Sequence, residues 1–422
     1  MTNDGSTDDT FEIELTAMAH GGSALGRYEK KTVFIPYTIP GERVIARITR
    51  DRGRVAFAEG IKLLDASADR VYPVCPHFGP GRCGRCHWQH IDYDAQLLLK
   101  QDVLNDQLGR IGGLDDTTIE AVVQPVIAAP QQWGYNYHMT MVVTENGTPG
   151  FLATDSETPI VIDECHILHP DLMALLPQLD MDITGLKQLK LQLSTDGSHM
   201  VILSIDSEEN IPALLTDLST SINLLLPDNE PVNLIGETHA RYTIGERSFR
   251  VTAGCEFRPN ISQLETLAKI VVNLMELTGT EAVLDLYGGV GFFSAFIASH
   301  ASLVTMVESY PPAVSDAEEN LADFEHVDLI ESPVEEALNS LETTYQVAVV
   351  DPPLDGLSLD VMDRLGALKI PRLVYVSSDP ATLARDTKRL IDHGYHLVHI
   401  QPIDLAPQTY WIDSVALFVP AL

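Results

Sequence analysis

Residues 283–296 (VLDLYGGVGFFSAF) constrain this chain more than any other stretch. The run Ala282 to Tyr287 is apolar and partly β-branched, as a strand covered on both faces should be. It ends in Gly288, Gly289 and Gly291, then passes into the helix-like run Phe292 to Ser299. Glycines at such a turn permit a tight bend and let the backbone approach a ligand closely. Many α/β turns carry glycines for packing alone, so the next strand matters. Leu303 to Val307 ends in Glu308, about 20 positions past the turn, where an acidic side chain holds a ribose hydroxyl pair in sheets of this kind. Turn and acid together point to a ligand that contains a nucleoside.

At 422 residues and 45% hydrophobic, the chain can bury a large core in two or three domains. It has no apolar run of membrane-spanning length, and Met1 to Thr10 is polar and acidic, unlike a signal or transit peptide. These features predict a cytoplasmic protein without a membrane partner, and nothing marks an obligate protein partner. Five cysteines in such a chain suggest metal binding or catalysis before disulfides. The formal charge of -33 repels nucleic acid, so any RNA partner must meet a local basic patch.

Residues 1–10 read as a disordered tail. From 11 to about 66, alternating runs (Phe11 to Leu15, Thr32 to Ile35, Arg43 to Ile48) are broken by Gly21-Gly22 and Pro40-Gly41, which predicts a small β-barrel. Between Arg27 and Lys62 stand nine Lys/Arg against four acids. A net basic barrel in so acidic a chain reads as an RNA-binding face, since phosphate contacts need that sign.

Next come Cys75, Cys83 and Cys86, spaced x7 and x2, with Cys165 far downstream. Thiolates at the x2 spacing can hold one metal from a single turn, and four soft ligands suit zinc or a [4Fe-4S] cluster equally. Tyr93 to Leu108 reads as an amphipathic helix with Leu97, Leu104 and Leu108 on one stripe. The span 72–250 is expected to be a mixed, strand-rich central domain carrying the cysteines, with helix 93–110 free to pack on the C-terminal domain. Cys255, just before a helix, reads as a packed thiol.

Over 255–422, strand and helix alternate. Gln346 to Val350 ends in Asp351-Pro352-Pro353, and Arg372 to Val376 leads to Ser377-Ser378-Asp379-Pro380. A helix at Ala381 to His393 and strands at Tyr395 to Ile400 and Ser414 to Val419 follow. Repeated βα units predict an α/β, Rossmann-like sheet with its ligands at the carboxyl ends of the strands. Every motif above lies at such an end, so they should converge.

This order of features resembles the RNA uracil-5-methyltransferases, S-adenosylmethionine enzymes that make 5-methyluridine in ribosomal or transfer RNA. The resemblance runs from Phe11 to Val419 and includes the closely matching segments Thr382 to Asp386 and Asp404 to Thr409. It implies that the barrel is a TRAM domain that binds RNA. It also implies that Cys75, Cys83, Cys86 and Cys165 hold a [4Fe-4S] cluster, although the family spaces the first two cysteines x5. The methyl donor falls to Asp285, Tyr287, Gly288, Gly289, Gly291 and Glu308, with Arg258 and Asp351 beside them.

The departures are chemical. C5 of uracil is a poor nucleophile until something adds to C6. The family uses a cysteine thiolate for that addition and a glutamate to remove the C5 proton. Ser378 stands at the cysteine position and Asp413 at the glutamate position. Leu354 replaces an arginine after Asp351-Pro352-Pro353, and Arg258 replaces a glutamine. A hydroxyl is far less ionised than a thiol, and no histidine adjoins Ser378 in sequence. The resemblance thus implies a methyltransferase with Ser378, Asp413 and Asp351 as catalytic residues and little 5-methyluridine formation. Its alternative is a non-catalytic RNA-binding or assembly paralogue that keeps the cofactor fold.

Overall fold

The N-terminal alternation closes into a barrel of five strands in the order β1-β2-β3-β5-β4. They are β1 (Thr10–Met18), β2 (Ala24–Tyr28), β3 (Lys31–Ile35), β4 (Arg43–Asp51) and β5 (Val55–Asp65). This computed structural model describes residues 10–154, 156–179, 186–207, 219–341 and 343–421, so the expected tail, apart from Thr10, lies outside the described residues. The β2–β3 and β4–β5 hairpins share one end of the barrel, where Lys31 pairs with Asp51 and the Thr32 amide donates to the Arg54 carbonyl at 2.9 Å. Lys30, Arg52 and Arg54 belong to these two turns, and the guanidinium of Arg50 lies 4.5 Å from the centre of the Phe57 ring.

The central segment begins with α1 (Tyr93–Arg110) and α2 (Asp116–Val122). Its sheet contains β6 (His138–Val143), β7 (Pro149–Leu152), β8 (Pro159–Val161), β9 (Gln188–Leu193), β10 (His199–Ser204), β11 (Ser221–Leu225) and β12 (Pro231–Ile235), with α3 (Pro170–Leu175) alongside. The strand order is β12-β11-β10-β9-β6-β7-β8. A hairpin, β13 (His239–Ile244) and β14 (Arg247–Thr252), follows. Its Tyr242, Phe249 and Val251 enter the hydrophobic core of the C-terminal sheet. The hairpin, which ends the expected central span 72–250, thus packs on the C-terminal sheet while bonding Ser194 and Thr195 of the central segment.

The C-terminal unit runs α4 (Ile261–Met275), β15 (Ala282–Leu286), α5 (Phe292–Ile297), β16 (Leu303–Glu308), α6 (Pro311–Asn320), β17 (Val327–Glu331), α7 (Val334–Ser340), β18 (Val347–Val350), α8 (Leu359–Leu368), β19 (Arg372–Ser377), α9 (Pro380–Asp392), β20 (Tyr395–Ile403) and β21 (Asp413–Pro420). The sheet order is β17-β16-β15-β18-β19-β21-β20. One face is covered by α4, α5, α6 and the hairpin, the other by α7, α8, α9 and the α1–α2 pair. Burial on both faces explains why β15 and β18 are almost wholly apolar.

Two features of this sheet position a site. The strand order reverses at β15, where the chain crosses from β16–β17 to β18, and ligands of such sheets bind outside the carboxyl ends at that point. β21 runs opposite to the other described strands of the sheet, pairing Ser414 with Ser377 of β19. Its first residue therefore lies level with the last residues of the parallel strands. No described helix is long and apolar enough to cross a membrane.

Candidate active site

The turn after β15 is built from residues that tolerate unusual backbone geometry. Gly289 and Gly291 take φ of 56° and 81°, and Tyr287 takes 63°, a left-handed value that costs a non-glycine residue energy. A Cβ on Gly288 would stand 2.5 Å from Cγ of Met306, so a larger residue there would force that side chain to move. At the end of β16, Glu308 closes the turn. One carboxylate oxygen accepts from the Gly289 amide at 2.9 Å, and the other accepts from the Ser309 and Tyr310 amides at 2.7 and 2.8 Å. Asp285 lies wholly buried beneath. Ser294 donates to its Oδ2 at 2.6 Å, while its Oδ1 has no partner among the described residues. Burial, helped by the nearby Asp351 and Glu308 carboxylates, pushes this carboxyl up to about 7. A buried acid with one unused oxygen beside a glycine turn suits a ligand carrying an ammonium group.

The second half of the site adjoins the first. Arg258 donates two bonds to Asp351, both at 2.7 Å, in the fork geometry that makes such pairs strong. Its Nε is buried, has no hydrogen-bond partner among the described residues and lies 4.0 Å from Oδ1 of Asp413. That same oxygen accepts a 2.6 Å bond from the Ser378 hydroxyl. Burial raises the Asp413 carboxyl above its usual range, against the pull of Arg258. A hydroxyl bonded to a buried carboxylate of raised proton affinity is a nucleophile–base arrangement. The sequence alone leaves Ser378 without a base. Asp413 takes that place because β21 is antiparallel.

Leu354, after the two prolines, is 58% exposed. Cys255 is not grouped with Ser378: it is buried in the core, its thiol pushed up first by burial and then by Asp316. Cys75, Cys83, Cys86 and Cys165 line one small pocket with Phe78, Arg85 and Phe151. Burial raises all four thiols, Cys83 to about 11. Among the described residues, no three His, Cys, Asp or Glu side chains are grouped closely enough to hold a metal ion.

Sequence reasoning missed what holds the loop between β20 and β21. Lys100 of α1 donates to Asp404 at 2.7 Å and to the Ala406 carbonyl at 3.1 Å, both ends of the ion pair being fully buried. Gln96 bonds Gln408 in both directions, each at 3.0 Å. A lysine four residues before Leu104, on the apolar stripe of α1, was the available signal. Asp379 was missed as well. Its Oδ1 caps α9 through the Thr382 amide at 2.7 Å, and its Oδ2 meets His20 of the barrel at 3.2 Å.

Residues 8–61 match the TRAM domain family. An uncharacterized RNA methyltransferase of Streptomyces avermitilis is 31% identical over 97% of this chain and 98% of its own length. The 23S rRNA (uracil(1939)-C(5))-methyltransferase of Shewanella sediminis is 32% identical over 96% of this chain and 95% of its own. Among solved structures, the Pyrococcus abyssi tRNA (uracil-54, C5)-methyltransferase in complex with S-adenosyl-L-homocysteine aligns over 97% of this chain and 100% of its own. At 22% identity and a TM-score of 0.75, it is similar in fold. With relatives above 30% identity along almost the whole length of both proteins, this chain belongs to the RNA methyltransferase family.

Proposed function

We propose that the protein transfers a methyl group from S-adenosylmethionine to a base of RNA, with uracil C5 the position its relatives suggest. The observation that carries this reading is the contiguity of the two half-sites: Asp285 and Glu308 on the glycine turn, then Asp351, Arg258, Asp413 and Ser378. The unused Oδ1 of Asp285 suits the donor's ammonium group, and Glu308 suits its ribose. When bound, the donor supplies an electrophilic methyl group. The Nε of Arg258, which has no hydrogen-bond partner among the described residues, is a donor suited to a base carbonyl oxygen. Ser378 adds to C6 as Asp413 accepts its proton, and the electron pair moves into the ring to C5 and the adjacent carbonyl. After methyl transfer and loss of that first proton to solvent, Asp413 removes the C5 proton and returns it to the Ser378 oxygen as the C6–O bond breaks. The basic tip of the barrel is the part of the surface suited to the RNA backbone.

A hydroxyl performs this addition poorly. Wild-type protein given labelled methyl donor and unmodified RNA is expected to form little 5-methyluridine. Ser378→Cys should form more, and Ser378→Cys with Asp413→Glu more still. Nucleoside analysis reads the result. Robust 5-methyluridine from wild type, unchanged by Ser378→Ala, would remove Ser378 from the mechanism; no labelled nucleoside of any kind would favour the non-catalytic alternative.

The four thiols are a soft donor set that fits an iron–sulfur cluster, and their raised proton affinity means that metal binding must displace the protons. Cys75, Cys83, Cys86 and Cys165 would hold it, supplying a structural tie between segments far apart in sequence. Anaerobically purified protein is expected to be brown and to lose its colour in Cys165→Ser. Colourless protein carrying one zinc per chain would assign the wrong metal.

A further inference from the structure

Beside the Ser378–Asp413 pair, three aromatic rings follow one another: His87, whose centroid lies 4.4 Å from that of Tyr410, then Tyr410, and Trp411 at 4.9 Å from Tyr410. The barrel backs them. A Cβ on Gly22 would stand 2.8 Å from Cδ1 of Tyr410, and the Trp88 indole donates to the Gly22 carbonyl at 3.0 Å. His20 of the same turn meets Asp379, the neighbour of Ser378, while Trp411 is two residues from Asp413. The series thus ends two residues short of Asp413, the partner of Ser378. Its outermost ring, Trp411, is 36% exposed, whereas Trp88 is wholly buried.

We infer that Trp411, backed by Tyr410 and His87, forms a second nucleobase site, on which a base flanking the methyl-acceptor nucleotide stacks. This rests on the reading of the protein as an RNA methyltransferase and adds a specific contact to it. The chemistry favours a base face over a phosphate. Asp413 lies two residues beyond Trp411 and Asp379 pairs with His20 of the same turn, and both carboxylates repel an anion. An open indole on a rigid aromatic support offers a large apolar face with little ordering cost. Single-stranded or flipped-out RNA is held in this way by other modules, through bases stacked on aromatic side chains.

The test uses the full-length protein and a single-stranded oligoribonucleotide of mixed sequence. Binding should quench the indole fluorescence of wild type. Trp411→Ala should bind about 5- to 100-fold more weakly, the range for loss of one stacked base. Trp411→Phe should retain most of the affinity while losing the quench. The salt dependence of binding should be the same in wild type and Trp411→Ala, because a stacking contact releases no counterion. Binding of S-adenosylhomocysteine by calorimetry, unchanged in both variants, verifies that they fold. Equal affinity of wild type and Trp411→Ala would overturn the shelf and leave the methyltransferase reading intact. A shallower salt slope in Trp411→Ala would replace the stacked base with a phosphate contact. Wild type that binds no RNA and transfers no methyl group would overturn both.

Discussion

Lys100→Met is expected to lower the free energy of unfolding by about 3–5 kcal/mol, the range for breaking one side of a buried ion pair. Methionine fills a similar volume, so the loss reports charge rather than a cavity. It would leave the Asp404 carboxylate, fully buried, with only the Tyr93 hydroxyl at 2.9 Å and the Ala406 amide at 3.0 Å. Pairing the change with Asp404→Asn should recover much of the loss, because the uncompensated charge disappears. Urea unfolding of the single and double variants measures this directly. A single variant within about 1 kcal/mol of wild type would mean that water reaches the pair. The same variants should also lose methyl transfer, since Lys100 and Gln96 hold the loop that leads to Asp413.

The second large effect concerns Asp285. Its carboxyl titrates near 7 in the folded chain and near about 3.9 when unfolded. Between those values the folded state keeps a proton that the unfolded state has released, so this group's contribution to stability falls as pH rises. Below about 4 both states are protonated and the effect vanishes; above 7 it is complete. The difference between the two states corresponds to about 4 kcal/mol. Asp285→Asn removes the titration. The stability difference between variant and wild type, followed by urea unfolding from pH 5 to 8, should therefore move in the variant's favour as pH rises. On the proposed reading the variant should at the same time bind S-adenosylmethionine more weakly, because the anion that would meet the ammonium group is gone. A difference that stays flat with pH would place the Asp285 titration outside that window.

Much of this architecture was legible because burial writes directly into sequence. The period-2 runs of 11–48 gave the barrel strands, and the apolar runs at 282–287 and 346–350 gave strands covered on both faces. The convergence of Asp285, Glu308, Asp351 and Ser378 followed from placing each at the end of a parallel strand. Less was legible where tertiary contacts override local pattern. Gln96 and Lys100 are buried on α1 while Leu98 is exposed, because the helix packs a polar network against the loop before β21. The β13–β14 hairpin alternates like its predecessors, and nothing local reveals which sheet it covers. The Ser378–Asp413 bond depends on β21 entering from the opposite direction, a property of connection rather than of residue type. Two successive strands without an intervening helix were the clue, since only an antiparallel pair can be joined in that way.

The docking of the barrel has a metric consequence. Its β1–β2 turn is clamped to the rim of the active site by Gly22 and His20, while the turns carrying Lys30, Arg52 and Arg54 lie at the other end of the same strands. The five residues of β2 separate the two ends by roughly 16 Å. A closed barrel shortens or bends little, so this separation acts as a ruler. An RNA gripped at both ends would have its modified base chosen by distance along the fold from a backbone contact, as well as by its own chemistry. Lengthening the β2–β3 and β4–β5 hairpins by matched residues would move the far mark without touching the near one.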